Sequence, residues 1–272
     1  MASHFWRPGL IKRSRAIDEL VKRGRIIVAL VIREMTARFG SKVGGYAWAI
    51  AEPAAYILLL SAIFSAIGRR PPLGQSFLIF YSSGFIAMQF YTSLVGHINN
   101  AIKSNRALLS YPVVAPIDLI IGRFIMQTMT MTLIGHVVIG YAIIHSGEAL
   151  QIRYEALIPA VLLGSLLATG VGLFNIVAFQ KAPIYEQIFT VVTRPMFLIS
   201  GVIFLPESIP PPFRDWILWN PVSHVILWFR TGIYPYYRAP FLDEGYLMIC
   251  TAITLLIGLL VFSLSRTVRE AK

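Results

Sequence analysis

The run AWAIAEPAAYILLLSAIFSAI, residues 47–67, carries one charged side chain, Glu52, among apolar and small residues. Crossing a hydrocarbon core of about 30 Å takes roughly 20 mostly apolar helical residues, so this run reads as a transmembrane helix. Five further runs meet the same requirement, near 77–97, 116–144, 156–179, 188–205 and 246–265. The predicted fold class is an all-α integral membrane protein with six transmembrane helices, forming one domain over 1–272 with the spans in 47–265. The third run is longer than one crossing needs and carries Asp118 and Arg123 in its first two turns, so its start is expected to project into the interface or tilt.

Composition agrees with this reading. Over 272 residues, 56% are hydrophobic and 14% charged, with a mean hydropathy of +0.68, far from the balance of a soluble domain. A net charge of +11 in so apolar a chain points to cationic loops beside anionic lipid headgroups, not to nucleic acid. The single cysteine, Cys250, lies in an apolar run and excludes an intrachain disulfide. The N-terminal segment is polar and basic and lacks the pattern of a secretory signal, so insertion is expected to begin at 47–67.

An even number of spans puts both termini on one side. Seventeen Lys and Arg residues fall on the side of the termini and six on the other, with Arg194 left inside the fifth run; both termini are therefore expected in the cytoplasm. Within 11–40, Ile17, Leu20, Val21, Gly24, Val28, Val31 and Met35 recur at helical spacing, with Lys22, Arg23, Arg25, Arg33 and Arg38 on other faces. Such a segment reads as an amphipathic helix at the cytoplasmic interface, apolar stripe in lipid and cations among headgroups. The bland alternative is a solvated helix packed on a partner.

Between the last two runs, 206–240 reads as a re-entrant outer segment. Pro206, Pro210, Pro211 and Pro212 interrupt it, Trp216 to Trp219 precede Asn220-Pro221, and Val222 to Phe229 resume an apolar run. Each run is too short to cross, so two broken half-helices entering from the outer face are expected. Trp and Tyr there suit a headgroup-level belt.

Catalytic signals are missing. There is no Gly-Lys dipeptide for a phosphate-binding loop and no G-x-S-x-G elbow, and His4, His97, His136, His145 and His224 lack metal-ligand spacing. No cofactor, metal or catalytic residue is expected. Two charges stand out. Glu52 before Pro53 is costly at membrane depth and needs either a functional partner or a cation such as Lys42 at the interface. Arg194-Pro195 must find water, a carboxylate or an anionic ligand, or else snorkel to the surface. Gly164, Ala168 and Gly172, four apart, allow close helix approach. The aromatic residues of the first two runs, among them Tyr56, Tyr81, Phe85, Phe90 and Tyr91, are lipid-facing filler or a stacking path for sugar rings.

Arg33-Glu34-Met35-Thr36-Ala37-Arg38-Phe39-Gly40 followed by Gly45-Tyr46-Ala47-Trp48-Ala49-Ile50-Ala51-Glu52-Pro53 resembles the entry to the first span of ABC-2 type polysaccharide export permeases, and Glu before Pro looks like their capsule-export branch. Asn105-Arg106-Ala107-Leu108-Leu109-Ser110-Tyr111-Pro112 is similar to that family's cytoplasmic coupling segment. Pro206, then Asn220-Pro221-Val222-Ser223-His224 and Arg230, match its outer segment.

The resemblance implies a homodimer around a central polysaccharide path in the bacterial inner membrane, with two copies of a cytoplasmic ABC ATPase subunit that binds the ATP and Mg. It assigns ATPase coupling to Asn100, Lys103, Asn105, Arg106, Leu108, Leu109, Tyr111 and Pro112, with Arg33 and Arg38 of the amphipathic helix. It places Trp48, Glu52, Tyr56, Tyr81, Phe90, Tyr91, Arg194, Trp216, Trp219 and Arg230 along the substrate path, with Arg194, Arg214, Arg230 and Arg238 guiding an anionic polymer. Lipid-linked capsular polysaccharide is the implied cargo, relayed to a periplasmic polysaccharide copolymerase and an outer-membrane export protein. The rivals are the same fold exporting O-antigen or teichoic acid, a membrane-embedded lipid-modifying enzyme, and an ion channel.

Overall fold

The computed structural model describes residues 8–40, 45–68 and 70–265, with side chains described from Ile17 onward except Phe39 and Tyr46. Lys42 and Arg69 lie outside the described residues. Among those described, the chain is all-helical. The helices are α1 (Pro8–Phe39), α2 (Gly45–Ala66), α3 (Phe77–Asn99), the one-turn α4 (Arg106–Leu109), α5 (Pro116–Ser146), α6 (Tyr154–Lys181), α7 (Pro183–Ile199), α8 (Phe213–Leu218), α9 (Pro221–Ile233) and α10 (Glu244–Leu264).

Five of these are long and apolar enough to cross a membrane: Ala47–Ala66 within α2, then α3, α5, α6 and α10. The remaining expected span, 188–205, differs. It is realised as α7, whose 17 residues begin at Pro183 and end before Ser200, because Gly201 turns the chain into the left-handed region at φ +82°. At 1.5 Å per residue α7 is about 25 Å long, less than a full hydrocarbon core of about 30 Å.

The helices are not equally enclosed. The apolar stretch of α3 is 78% buried, against 11% for α2 and 22% for α10. α3 therefore forms the centre, packed on α5, α6 and α9, while α2 and α10 lie at the edge. Leu59 and Ile63 on α2 and Ile253, Leu256 and Leu264 on α10 stay exposed, an inversion of soluble packing that lipid makes favourable.

Small residues set the closest crossings. Gly164 faces Val225 of α9 and Gly172 faces Ile98 of α3, so the stripe read from sequence packs inside the chain. The tightest approach is one the stripe did not include: a Cβ on Gly170 would lie 2.6 Å from the Leu255 backbone nitrogen, and one on Gly258 would run into the Gly170 carbonyl oxygen. Here α6 and α10 meet backbone to backbone.

The segment after α7 contains two short helices, as expected. Asn220 caps α9, its side-chain oxygen accepting the Val222 N–H at 3.1 Å, and Pro221 takes the first helical position. α9 buries most of its length against α6 and α3. α1 rests on the N-terminal part of α5 and leaves Ile17, Leu20, Val21, Val28 and Met35 exposed.

Candidate functional site

Three polar rungs tie α1 to the turn after α3 and to α5. In the first, Arg33 Nη2 donates to Asn105 Oδ1 at 2.7 Å, and Asn105, buried, donates its own Nδ2 to the Ala101 carbonyl at 3.1 Å. In the second, Arg123 Nη2 lies 3.0 Å from Glu34 Oε1 and donates to Ser104 Oγ at 2.6 Å, while Nη1 donates to the His97 carbonyl. In the third, Arg38 Nη1 donates to Gln127 Oε1 at 2.6 Å, and Gln127 Nε2 donates to Ser93 Oγ at 3.0 Å.

Helical periodicity explains the ladder. Glu34 and Arg38 on α1, and Arg123 and Gln127 on α5, are each four apart and so share a face. α1 thereby reads both ends of the turn at 100–105: Ser93 and His97 before it, Arg123 and Gln127 after it. The exit is fixed too, since Ala115 N–H donates to Asp118 Oδ2 at 2.9 Å at the head of α5, where Pro116 holds the first position. A guanidinium so enclosed is tolerable only with its carboxylate and acceptors in place.

The residues assigned to ATPase coupling divide in two. Asn100, Lys103, Arg106, Tyr111 and Pro112 are exposed, whereas Asn105 and Leu109 are buried and Leu108 is half-buried. Arg33 turns onto Asn105 in the turn after α3, and Arg38 onto Gln127 of α5. Outward residues thus form one small surface, and inward residues connect it to the membrane helices.

Immediately beside Asn100 a cleft of about 420 Å³ opens between α3, the end of α6 and α7. Tyr91, Phe179 and Phe189 supply its rings, Thr92, Asn99, Thr190 and Thr193 its polar groups, and Glu186 and Arg194 its charges. The Asn99 side-chain oxygen is buried without a hydrogen bond, and among the described residues Arg194 forms no ion pair. The hydroxyls of Thr92, Thr190 and Thr193 donate within their own helices, so the cleft offers aromatic faces, one unspent acceptor at Asn99 and a cation at Arg194, groups that suit an anionic sugar chain.

Only two of the predicted path residues, Tyr91 and Arg194, line that cleft. Trp48, Glu52 and Tyr56 lie on the exposed side of α2, with the Tyr56 ring 5.5 Å from Phe85 and 6.1 Å from Phe197. Tyr81 and Phe90 are core residues, the Phe90 ring tilted 45° against Phe229 at 6.5 Å. Trp216 and Trp219 are exposed on and just after α8. Arg230 departs most from its assignment. It is fully buried, donates to the Gly201 and Val202 carbonyls at 2.7 and 2.8 Å, and lies 4.2 Å over the Phe80 ring. The turn after α7 leaves carbonyls inside the protein, and Arg230 satisfies them instead of facing a path.

Sequence reasoning missed Glu34, Ser93, Ser104, Gln127, Asn99 and Glu186 as site residues. The i, i+4 pairs ending on Arg38 and Gln127 carried a signal for the ladder; the cleft residues had none, being ordinary Thr, Asn and Glu at helix positions.

The class these features define is a multi-pass helical membrane protein, with no His, Cys, Asp or Glu group able to hold a metal ion among the described residues. The chain belongs to the ABC-2 type transporter family, whose pattern matches residues 25–234 and so includes both ladder and cleft. It is 32% identical over 246 residues to the polysialic acid transport protein KpsM of Escherichia coli, covering 90% of this chain and 94% of that one. It is 26% identical to the capsule polysaccharide export inner-membrane protein CtrC of Neisseria meningitidis serogroup A, over 92% of this chain and 95% of the relative. To the corresponding protein BexB of Haemophilus influenzae it is 22% identical, over 89% and 91%.

Proposed function

We propose that this chain is the permease subunit of an ATP-driven exporter that carries lipid-linked capsular polysaccharide across the bacterial inner membrane. A separate ATPase subunit binds the exposed face formed by Lys103, Arg106, Tyr111 and Pro112, and its movement passes through the Arg33–Asn105, Glu34–Arg123 and Arg38–Gln127 rungs into α1, α3 and α5. The observation that carries the reading is the junction of this ladder with the cleft: Asn100 ends α3 on the coupling side, and Asn99, Thr92 and Tyr91 line the cavity directly above it. Displacing the turn therefore moves one wall of the cleft.

Two copies acting together, each with an ATPase subunit, would place the cleft and the neighbouring rings of exposed Tyr56 and half-buried Phe197 along a shared path. In this arrangement α7 is the sixth crossing, both termini are cytoplasmic, and the exposed stripe of α1 lies in the inner interface. Arg194 meets the acidic groups of the polymer and Tyr91 the faces of its sugars. The names of the relatives support capsule as the cargo; a periplasmic copolymerase and an outer-membrane export protein complete the route.

Surface capsule tests the cleft. In cells deleted for the native gene, Arg194→Ala and Tyr91→Ala at normal membrane abundance are each expected to cut surface polymer by about tenfold, the equivalent of about 1.4 kcal/mol of lost interaction. Full surface capsule in both variants would remove the cleft from the path.

A further inference from the structure

α5 and α6 are consecutive in the chain and joined by residues 147–153, yet they hardly touch. A groove of about 300 Å³ separates them, about ten times the share of one liquid water of roughly 30 Å³. Its α5 wall includes Phe124, Ile139 and Gly140, its α6 wall Leu157 and Val161, and Phe229 of α9 forms the floor. Both walls are membrane-crossing helices, so the groove opens onto hydrocarbon, and so apolar a lining is not a site water would fill.

Its dimensions and charge select an occupant. The α6 wall runs from Tyr154 to Ser165, about 16 Å of helix, and the α5 wall from Phe124 to Gly140, about 24 Å, so the groove is longer than one leaflet's share of a hydrocarbon core of about 30 Å on one side and close to it on the other. Directly above it, Arg153 caps the N-terminus of α6, is exposed and forms no ion pair among the described residues. The rings of His136 and Tyr154 stack at 6.1 Å beside this mouth. We infer that the groove holds one acyl chain of a bilayer phospholipid from the leaflet at the α6 N-terminus, with its phosphate at Arg153. In the orientation proposed above that leaflet is the outer one. The lipid fills the gap between two spans that otherwise lack a common interface, and it serves as a structural part of the transporter.

The test uses the full chain in nanodiscs of phosphatidylglycerol doped with a diazirine-tailed phosphatidylglycerol, with no polysaccharide or ATPase present, so its outcome is independent of the export reading. After photolysis, labels are mapped by mass spectrometry. The expected result is labelling concentrated on residues 124–140 and 157–165, competed by excess unlabelled lipid. A Cβ at Gly140 meets nothing within 4 Å, so Gly140→Leu fills the groove without a clash and is expected to reduce labelling there to the level on the exposed face of α10. Arg153→Gln, at an exposed position, is expected to lower it about fivefold, the value of about 1 kcal/mol for one cation near anionic lipid. Wild-type labelling no stronger in the groove than on α10, or groove labelling unchanged by both substitutions, would overturn the proposal.

Discussion

Arg123 sits a quarter of the way into α5 with Glu34 at 3.0 Å, and the two side chains are 8% and 21% exposed. Removing either partner leaves the other charge enclosed. Arg123→Ala or Glu34→Ala is therefore expected to destabilise the protein by up to about 3 kcal/mol, discounted from the range for fully buried pairs because Glu34 keeps some access to water. Thermal unfolding in detergent checks this, and the double variant Glu34→Gln, Arg123→Met should recover part of the loss, since it leaves no orphaned charge. Equal midpoints for wild type and the two single variants would show that the ladder carries no load. Arg230 teaches the same lesson from the other side: a guanidinium that sequence placed on a substrate path is consumed by backbone carbonyls at 2.7 and 2.8 Å. Sequence reports that a buried cation needs partners; it does not say whether they are ligands or the protein's own turns.

Among elements, the pairing of α6 with α10 depends on two glycines that share one point of contact. Adding a Cβ at Gly170 forces backbone apart from backbone, so Gly170→Ala is expected to cost about 1–3 kcal/mol, whereas Gly140→Ala, in open space, should be neutral or slightly stabilising through helix propensity. Comparing the two unfolding midpoints separates overpacking from the generic effect of replacing glycine. This pair also marks where sequence was legible. Long apolar runs give α2, α3, α5, α6 and α10 almost to their ends, because hydrocarbon thickness fixes their length. The Pro and Asn-Pro breaks give α8 and α9. The α7 boundary was not legible, because Gly201 ends the helix inside a run whose hydropathy continues past it. Which glycines meet, and which polar residues converge on the cleft, depends on helix crossings that one sequence does not contain.

At the scale of the molecule, a central α3, an exposed α2 and an α7 with no buried residue make a chain whose apolar sides are finished by lipid and, in the proposed function, by a second copy. In the proposed function the exposed residues among 103–112 receive the ATPase subunit, the cleft opens beside them at Asn100, and three rungs brace α1 against the turn and α5. The most direct measurement is co-purification of the tagged protein in detergent with the ABC ATPase subunits encoded in its own genome. It would compare wild type with Arg106→Glu, Tyr111→Asp, two exposed positions that leave the buried Asn105 and Leu109 untouched. Stoichiometric capture of one ATPase by wild type and by Arg194→Ala, lost in the double variant, is the predicted result. A well-folded wild-type chain that captures none of them, or a double variant that captures as much as wild type, would contradict it.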